Sequence, residues 1–295
     1  TSGIPEIDEI VRVFANGTLT VIAGGAGDGK TTVGNSIYYT NIIQDKNMLL
    51  FNFEITARDS LFSLASREAL ELGLELNAGN LKKGIATEQE KAYLKQAKES
   101  FLKREKLGKY AIITPENMRS VTPQEVVRLI KEYIAKWGRV DGFIWDYLQL
   151  MKFYQIPGVK DEKERMNFWT RFLQTICVSL DIAGVLLSQM SREGRKKFVK
   201  TGEGSLSYLS EANELERSAS VVLEVYSTES NRLGSTINIS LCKHRNGATH
   251  IPVMNIYCNF NQFKVGNVSY SSMFTLDAFQ NLQSNPNDMT AFLFD

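Results

Sequence analysis

The sequence predicts an α/β fold with a mainly parallel central sheet, helices on its faces, and antiparallel strands at its C-terminal side. Three observations predict it. Short apolar runs recur with helix-length segments between them, at 19–23 (LTVIA), 48–53 (MLLFNF), 110–114 (YAIIT), 142–146 (GFIWD) and 183–188 (AGVLLS). Strands that read as near-continuous hydrophobic runs are buried on both faces, which requires crossover helices above and below a parallel sheet. After residue 219 the pattern changes to SVVLEVY, STINISLC and IPVMNIY with turn residues between them, which reads as antiparallel strands extending the sheet. Finally, a glycine-rich turn, AGGAGDGKTT at 23–32, joins the first strand to the first long helical segment.

The helices carry their own signals. Thr122-Pro123-Gln124-Glu125 is a capping-box sequence with proline at the first helical position, followed by Val126, Val127, Ile130 and Ile134 at helical spacing. Trp169, Phe172, Leu173, Ile176 and Leu180 repeat that spacing. Residues 81–109 carry nine Lys/Arg against four Glu, with Tyr93, Leu94, Ala97 and Phe101 on one helical face. They predict an amphipathic helix inserted between the second and third strands, its basic face solvated over a local core. The spacing divides the chain into one domain over 1–265 and a tail over 266–295. That tail has no Lys or Arg and ends in MTAFLFD, a composition for a flexible or partner-docking segment.

Composition excludes more than it assigns. With 43% hydrophobic residues over 295 positions the chain can bury a large core. Its 34 basic residues nearly cancel 33 acidic ones, so any basic surface must be local. Cys177, Cys242 and Cys258 are too scattered for a zinc knuckle or a disulfide framework, and the expected compartment is the cytoplasm. With only His244 and His250, histidine triads and multi-histidine metal sites are close to excluded. No apolar run approaches the roughly 18 residues of a membrane span.

The turn at 23–32 is a complete phosphate-loop motif: Gly24, four residues, then Gly29-Lys30-Thr31, between a strand and a helix as its mechanism requires. Its glycines let backbone N–H groups face phosphates, and the helix N-terminus adds its dipole. Gly24, Gly25, Ala26, Gly27, Asp28, Gly29, Lys30, Thr31 and Thr32 are the nucleotide-binding candidates, with the Asp28 side chain expected to point to solvent. Lys30 is placed to hold the β- and γ-phosphates and Thr31 to ligate Mg²⁺. Asp146, closing GFIWD, is the second carboxylate such a cation needs. Glu54, following MLLFNF at the sheet's carboxyl edge, is the candidate base for a hydrolytic water, or else a helix cap before Thr56. Gln189 follows AGVLLS at the same edge, where an amide can contact a γ-phosphate. Beyond it lies a glycine-interrupted basic loop, 191–205, with Arg192, Arg195, Lys196, Lys197 and Lys200. It suits a polyanion, or is a solvated loop.

Taken in order, GGAGDGKT, FNFEIT, WDYLQLM, LLSQMSR, ELERSASVV and CKHRNG resemble the DnaB-like replicative helicases, including phage primase-helicases, which have a RecA-type core. The resemblance runs from about Ser2 to Val265, and DYLQLM and K-x-RNG are far more specific than the phosphate loop alone. It implies an ATP-driven or other NTP-driven, Mg²⁺-dependent motor that assembles as a hexameric ring on single-stranded DNA and unwinds duplex. It further implies contacts with a primase, polymerase or loader, in the cytoplasm of a bacterial cell or phage-infected host. By the same resemblance Glu54 is similar to the catalytic glutamate, Asp146 to the Mg²⁺ aspartate and Gln189 to the γ-phosphate sensor. Arg245 is similar to an arginine finger and Lys243 to its companion, both acting on a neighbouring subunit's nucleotide. The segment around Ile156 to Asp161 and the 191–205 loop resemble two central-channel loops, which makes Lys160, Arg195, Lys196, Lys197 and Lys200 DNA-phosphate candidates. A RecA-like recombinase or another RecA-fold ATPase without unwinding activity would share the fold and the glutamate but not DYLQLM with K-x-RNG. A degenerate ATPase serving as an interaction module would have lost catalytic positions that are all filled here.

Overall fold

Among the described residues nine strands form one sheet, in the spatial order β3-β2-β4-β5-β1-β6-β7-β8-β9. They are β1 (Leu19–Gly24), β2 (Met48–Asn52), β3 (Tyr110–Ile113), β4 (Gly142–Asp146), β5 (Ala183–Gln189), β6 (Val221–Tyr226), β7 (Thr236–His244), β8 (Ile251–Asn259) and β9 (Lys264–Val265). The helices are α1 (Pro5–Asp8), α2 (Lys30–Ile42), α3 (Ala57–Glu71), α4 (Ala78–Lys83), α5 (Glu88–Leu102), α6 (Pro123–Trp137), α7 (Glu162–Leu180), α8 (Arg192–Thr201), α9 (Ala212–Ser218) and α10 (Glu229–Leu233). The computed structural model describes residues 1–201, 206 and 212–266, so the tail expected at 266–295 lies, after Gly266, outside the described residues.

Strand periodicity decides which side chains meet which helices. Successive residues of a strand point to opposite faces. Leu19, Val21 and Ala23 of β1, Leu49 and Phe51 of β2, and Phe143 and Trp145 of β4 therefore share one face, packed under α6 and α7 by Val126, Ile130, Trp169, Leu173 and Ile176. Ile22, Leu50, Ile144, Val185 and Leu187 share the other, packed under α2, α3 and α5 by Val33, Ile37, Leu64 and Phe101. Trp145 and Trp169 sit at 5.5 Å between ring centroids and are fully buried. Truncating either to alanine is expected to cost about 3–5 kcal/mol. Asp146 and Gln189 have the parity of Ile144 and Leu187, so both emerge on the side from which α2 departs.

The sheet is mainly parallel, as expected, but β6 is part of the parallel set. SVVLEVY pairs parallel with β1, and antiparallel pairing begins only between β6 and β7. The reason is the connection after β5: it carries the chain back past α9 to the N-terminal edge of the sheet before β6 starts, so β6 runs alongside β1. Two other expectations change in detail. The basic helix predicted within 81–109 is α5, whose Ala97 and Phe101 are buried and whose Tyr93 and Leu94 pack on Ala69, Leu76 and Leu81, with α4 as a second short helix before it. At 122–125 only half of the capping box forms. Thr122 accepts from Glu125 N–H, but the Glu125 carboxylate accepts from Arg119 N–H and the Arg128 guanidinium instead of returning to Thr122.

Candidate active site

The loop between β1 and α2 is fixed from within. Gly29 is the left-handed N-cap of α2 (φ 97°), and a Cβ there would stand 2.5 Å from Ile237 Cδ1, so glycine alone fits. Lys30 Nζ donates to the carbonyls of Gly24 at 2.9 Å and Gly25 at 2.7 Å. Burial lowers the Lys30 pKa, opposed by the charges of Asp28, Asp146 and Glu54.

Three strand ends meet α2 at this point. Thr31 Oγ1 donates to Asp146 Oδ2 at 3.3 Å. Asp146 is buried, and its burial, then the charge of Glu54, push its carboxyl up to about 7 against the pull of Lys30 and of the Thr31 hydroxyl. Such a carboxyl favours added positive charge, whether a proton or a cation. Glu54 is set by a turn after β2: Asn52 Oδ1 accepts from the N–H groups of Glu54 and Ile55, both at 3.0 Å, and Phe53 N–H donates to Asp146 O at 2.8 Å. The helix-capping alternative for Glu54 falls to Thr56, whose hydroxyl accepts from Asp59 N–H and caps α3. Gln189 ends β5 and donates its N–H to Gln149 Oε1 at 2.8 Å, while Gln149 Nε2 donates to Ser188 Oγ at 3.0 Å and Gln189 O at 3.3 Å.

These groups enclose a cavity of about 340 Å³. Its floor is Ala26, Gly27 and Gly29 with Lys30, Thr31 and Thr32; its walls are Glu54, Asp146 and Gln189, with Tyr147 and Phe260 adding two aromatic rings. Gly24 and Gly25 do not line the cavity; their carbonyls hold Lys30 Nζ. Asp28, expected to face solvent, is instead fully buried: Oδ2 accepts from Gly25 N–H at 3.0 Å, and both carboxylate oxygens take the Arg195 guanidinium, at 2.6 and 2.7 Å. A carboxylate in a desolvated loop needs such a partner, and the partner comes from a helix 167 residues away. Arg232 holds the other shoulder of the loop, donating from Nη2 to Gly27 O at 3.1 Å.

Lys243 and Arg245 are not brought to this cavity. Arg245 N–H donates to Ser220 O just before β6, and β6 lies in register with β1 so that Val221 faces Thr20 and Val225 faces Gly24. Arg245 is thus at the opposite end of β1 from the loop, about 17 Å along the strand at roughly 3.3 Å per residue. It is exposed, with Nη2 on Arg217 O at 3.2 Å, and Lys243 Nζ donates to the carbonyls of Glu216 and Ala219.

The basic segment after β5 is a helix where a loop was expected. Ser191 Oγ accepts from Gly194 N–H at its start, and Phe198 anchors it against Met190 and Tyr226. Residues 202–205 lie outside the described residues. Arg192, Lys196 and Lys200 recur at every fourth position and form one exposed stripe; Lys197 pairs with Glu193 at 3.2 Å, and Arg195 is turned to the phosphate loop. Lys160 is exposed, in a segment held by an Ile156–Val159 bridge and by Asp161, which caps α7. Gln149, Tyr147, Phe260 and Arg232 were missed by sequence reasoning, whereas Arg192 was read there as part of the basic segment suited to a polyanion. Of the missed residues, Gln149 and Tyr147 stand in a motif, DYLQLM, that could have singled them out.

No helix among the described residues is long and apolar enough to cross a membrane. The fold is similar to the ATPase domain of the G40 protein, with a TM-score of 0.74, 19% identity and 91% of each chain covered. It is equally similar, at a TM-score of 0.74 and 18% identity, to a DnaB-like replicative helicase described with its interactions with primase; 91% of this chain covers 62% of that one. A KaiC-like protein from Pyrococcus horikoshii shares the core less closely, with a TM-score of 0.55, 16% identity and coverage of 88% and 95%. A search of curated proteins finds no match. Residues 1–265 match the family described as DnaB-like helicase C terminal domain. The chain therefore belongs to the DnaB-like helicase C-terminal domain family: it is a nucleotide-hydrolysing replicative helicase motor on a RecA-like core.

Proposed function

We propose that this motor hydrolyses ATP, or another NTP, at sites shared between neighbouring subunits of a ring, hexameric as is typical of the family, and moves along single-stranded DNA to unwind duplex. The observation that carries this reading is the separation of Arg245 from the cavity. Lys30, Thr31, Glu54, Asp146 and Gln189 converge on one cavity, while Arg245 stands about 17 Å away at the far end of β1 and Lys243, opposite Val222, about 10 Å away along it. A guanidinium so placed serves a nucleotide only from an adjacent subunit.

Lys30 leaves the Gly24 and Gly25 carbonyls for the β- and γ-phosphates. Thr31 and Asp146 fit Mg²⁺, since a hydroxyl and a buried carboxylate 3.3 Å apart form a hard oxygen pair beside the phosphate loop. When bound there, Mg²⁺ neutralises charge on the phosphates. Glu54 orients or deprotonates the attacking water, and Gln189, held by Gln149, contacts the γ-phosphate. Tyr147 and Phe260 offer the cavity's aromatic walls to the base. Arg192, Lys196 and Lys200, together with Lys160 and Lys197, face the DNA backbone. The related helicase's interactions with primase support contacts with a primase, and a polymerase or loader is a further partner; the working place is the cytoplasm of a bacterial cell or infected host.

Hydrolysis measured with and without oligo-dT, beside unwinding of a forked duplex, tests this reading. DNA-stimulated hydrolysis with unwinding is expected. Strand exchange without unwinding would instead favour a recombinase-type motor.

A further inference from the structure

We propose that Arg195 is a positioning residue of the phosphate loop: its guanidinium cancels the Asp28 charge behind the loop and ties nucleotide affinity to the seating of α8. This rests on reading the cavity as the nucleotide site. Neither Asp28 nor Arg195 lines that cavity, so the pair acts through the loop backbone. Asp28 Oδ2 holds Gly25 N–H, and a Cβ on Gly25 would lie 2.3 Å from Arg195 Cδ and 2.5 Å from Asp28 Oδ2. The loop thus rests directly on the ion pair. An unpaired carboxylate here would repel the polyphosphate that the loop must accept, across a region from which water is largely excluded.

The partner's position gives the pair its second consequence. α8 is fixed on its inner side at two points, Phe198 against Tyr226 with ring centroids 4.4 Å apart, and Arg195 three residues earlier on Asp28. Its outer side carries the Arg192, Lys196 and Lys200 stripe. A polyanion that shifts the stripe shifts the same short helix that neutralises the loop. By linkage, a nucleotide that reorders the loop changes the stripe's affinity for the polyanion by the same factor.

The test measures binding of a fluorescent ADP with Mg²⁺, with and without oligo-dT, to the parent, Arg195→Gln, Asp28→Asn, the double variant and Lys30→Ala. Arg195→Gln is expected to weaken nucleotide binding roughly tenfold, because it strands a buried carboxylate. Asp28→Asn should bind no more weakly than the parent, and Asp28→Asn/Arg195→Gln should return to within about threefold of it, a rescue that simple loss of structure would not give. Oligo-dT should alter nucleotide affinity in the parent and no longer do so in that double variant. Comparing the double variant with Asp28→Asn gives this readout even where Arg195→Gln alone does not fold. Parent-like affinity in Arg195→Gln, no recovery in the double variant, or an undiminished oligo-dT effect would each overturn the proposal. Loss of binding in Lys30→Ala alone would leave the site reading standing without it; parent-like binding in Lys30→Ala would instead remove the site reading itself.

Discussion

Thr31 Oγ1 and Asp146 Oδ2 stand 3.3 Å apart although 115 residues separate them in sequence. The contact follows from strand parity: Asp146 shares the face of Ile144, and that face receives the N-terminal turn of α2. Asp146→Asn keeps the shape and removes the charge. It is expected to lower Mg²⁺-dependent hydrolysis by about a hundredfold or more while nucleotide binding in EDTA persists. Steady-state hydrolysis beside binding of a fluorescent nucleotide checks this; hydrolysis at the parental rate would take Asp146 out of the cation site.

Gln149 touches no substrate position but makes three hydrogen bonds to Ser188 and Gln189. Each is worth about 1 kcal/mol, and together they fix the strand end that presents Gln189. Gln149→Ala should therefore lower kcat about tenfold with KM for nucleotide within about threefold of the parent. An equal rise in KM with kcat unchanged would place Gln149 in ground-state binding instead.

The stripe on α8 gives a prediction in salt. If Lys196 and Lys200 each neutralise one phosphate, replacing both with glutamine lowers the slope of log affinity for single-stranded DNA against log salt by about 1.4. Binding to oligo-dT over a range of NaCl measures it. An unchanged slope would put the DNA elsewhere.

Glu125 anchors the start of α6, where hydrogen bonds from Arg128, with Arg119 N–H, hold its carboxyl down at about 2 from an ordinary 4.5. A depressed folded-state pKa stabilises above the unfolded value and loses that contribution as pH falls toward the folded one. Glu125→Gln should therefore lower Tm at pH 7, and the difference from the parent should shrink as pH falls from about 5 to about 2.5. Thermal melts across that range check the sign; a gap that widens in acid would contradict it.

The fold was readable because its strands are buried on both faces and announce themselves as hydrophobic runs, and the phosphate loop because its glycines serve one geometry. What stayed illegible depends on partners distant in sequence. Asp28 reads in sequence as a solvent-facing charge because its partner, Arg195, is 167 residues away. The segment at 192–201 read as a loop because its glycine and charges oppose helix locally, and the helix is secured by Ser191 and Phe198. SVVLEVY has the composition of any strand, and its parallel pairing is set by the route of the chain before it. Phe260 sits in a turn whose sequence says nothing of the cavity it closes.

The central claim, a site completed by a neighbour, is tested most directly by mixing two inactive variants. Glu54→Gln keeps Arg245, and Arg245→Ala keeps Glu54, so neither homogeneous assembly has one complete site. Mixed in equal amounts and allowed to exchange subunits, a shared-site ring forms complete sites at about a quarter of its interfaces. Hydrolysis by the mixture should then rise well above that of either variant alone, toward about a quarter of the parental rate. A mixture no more active than its components would contradict a site shared between subunits.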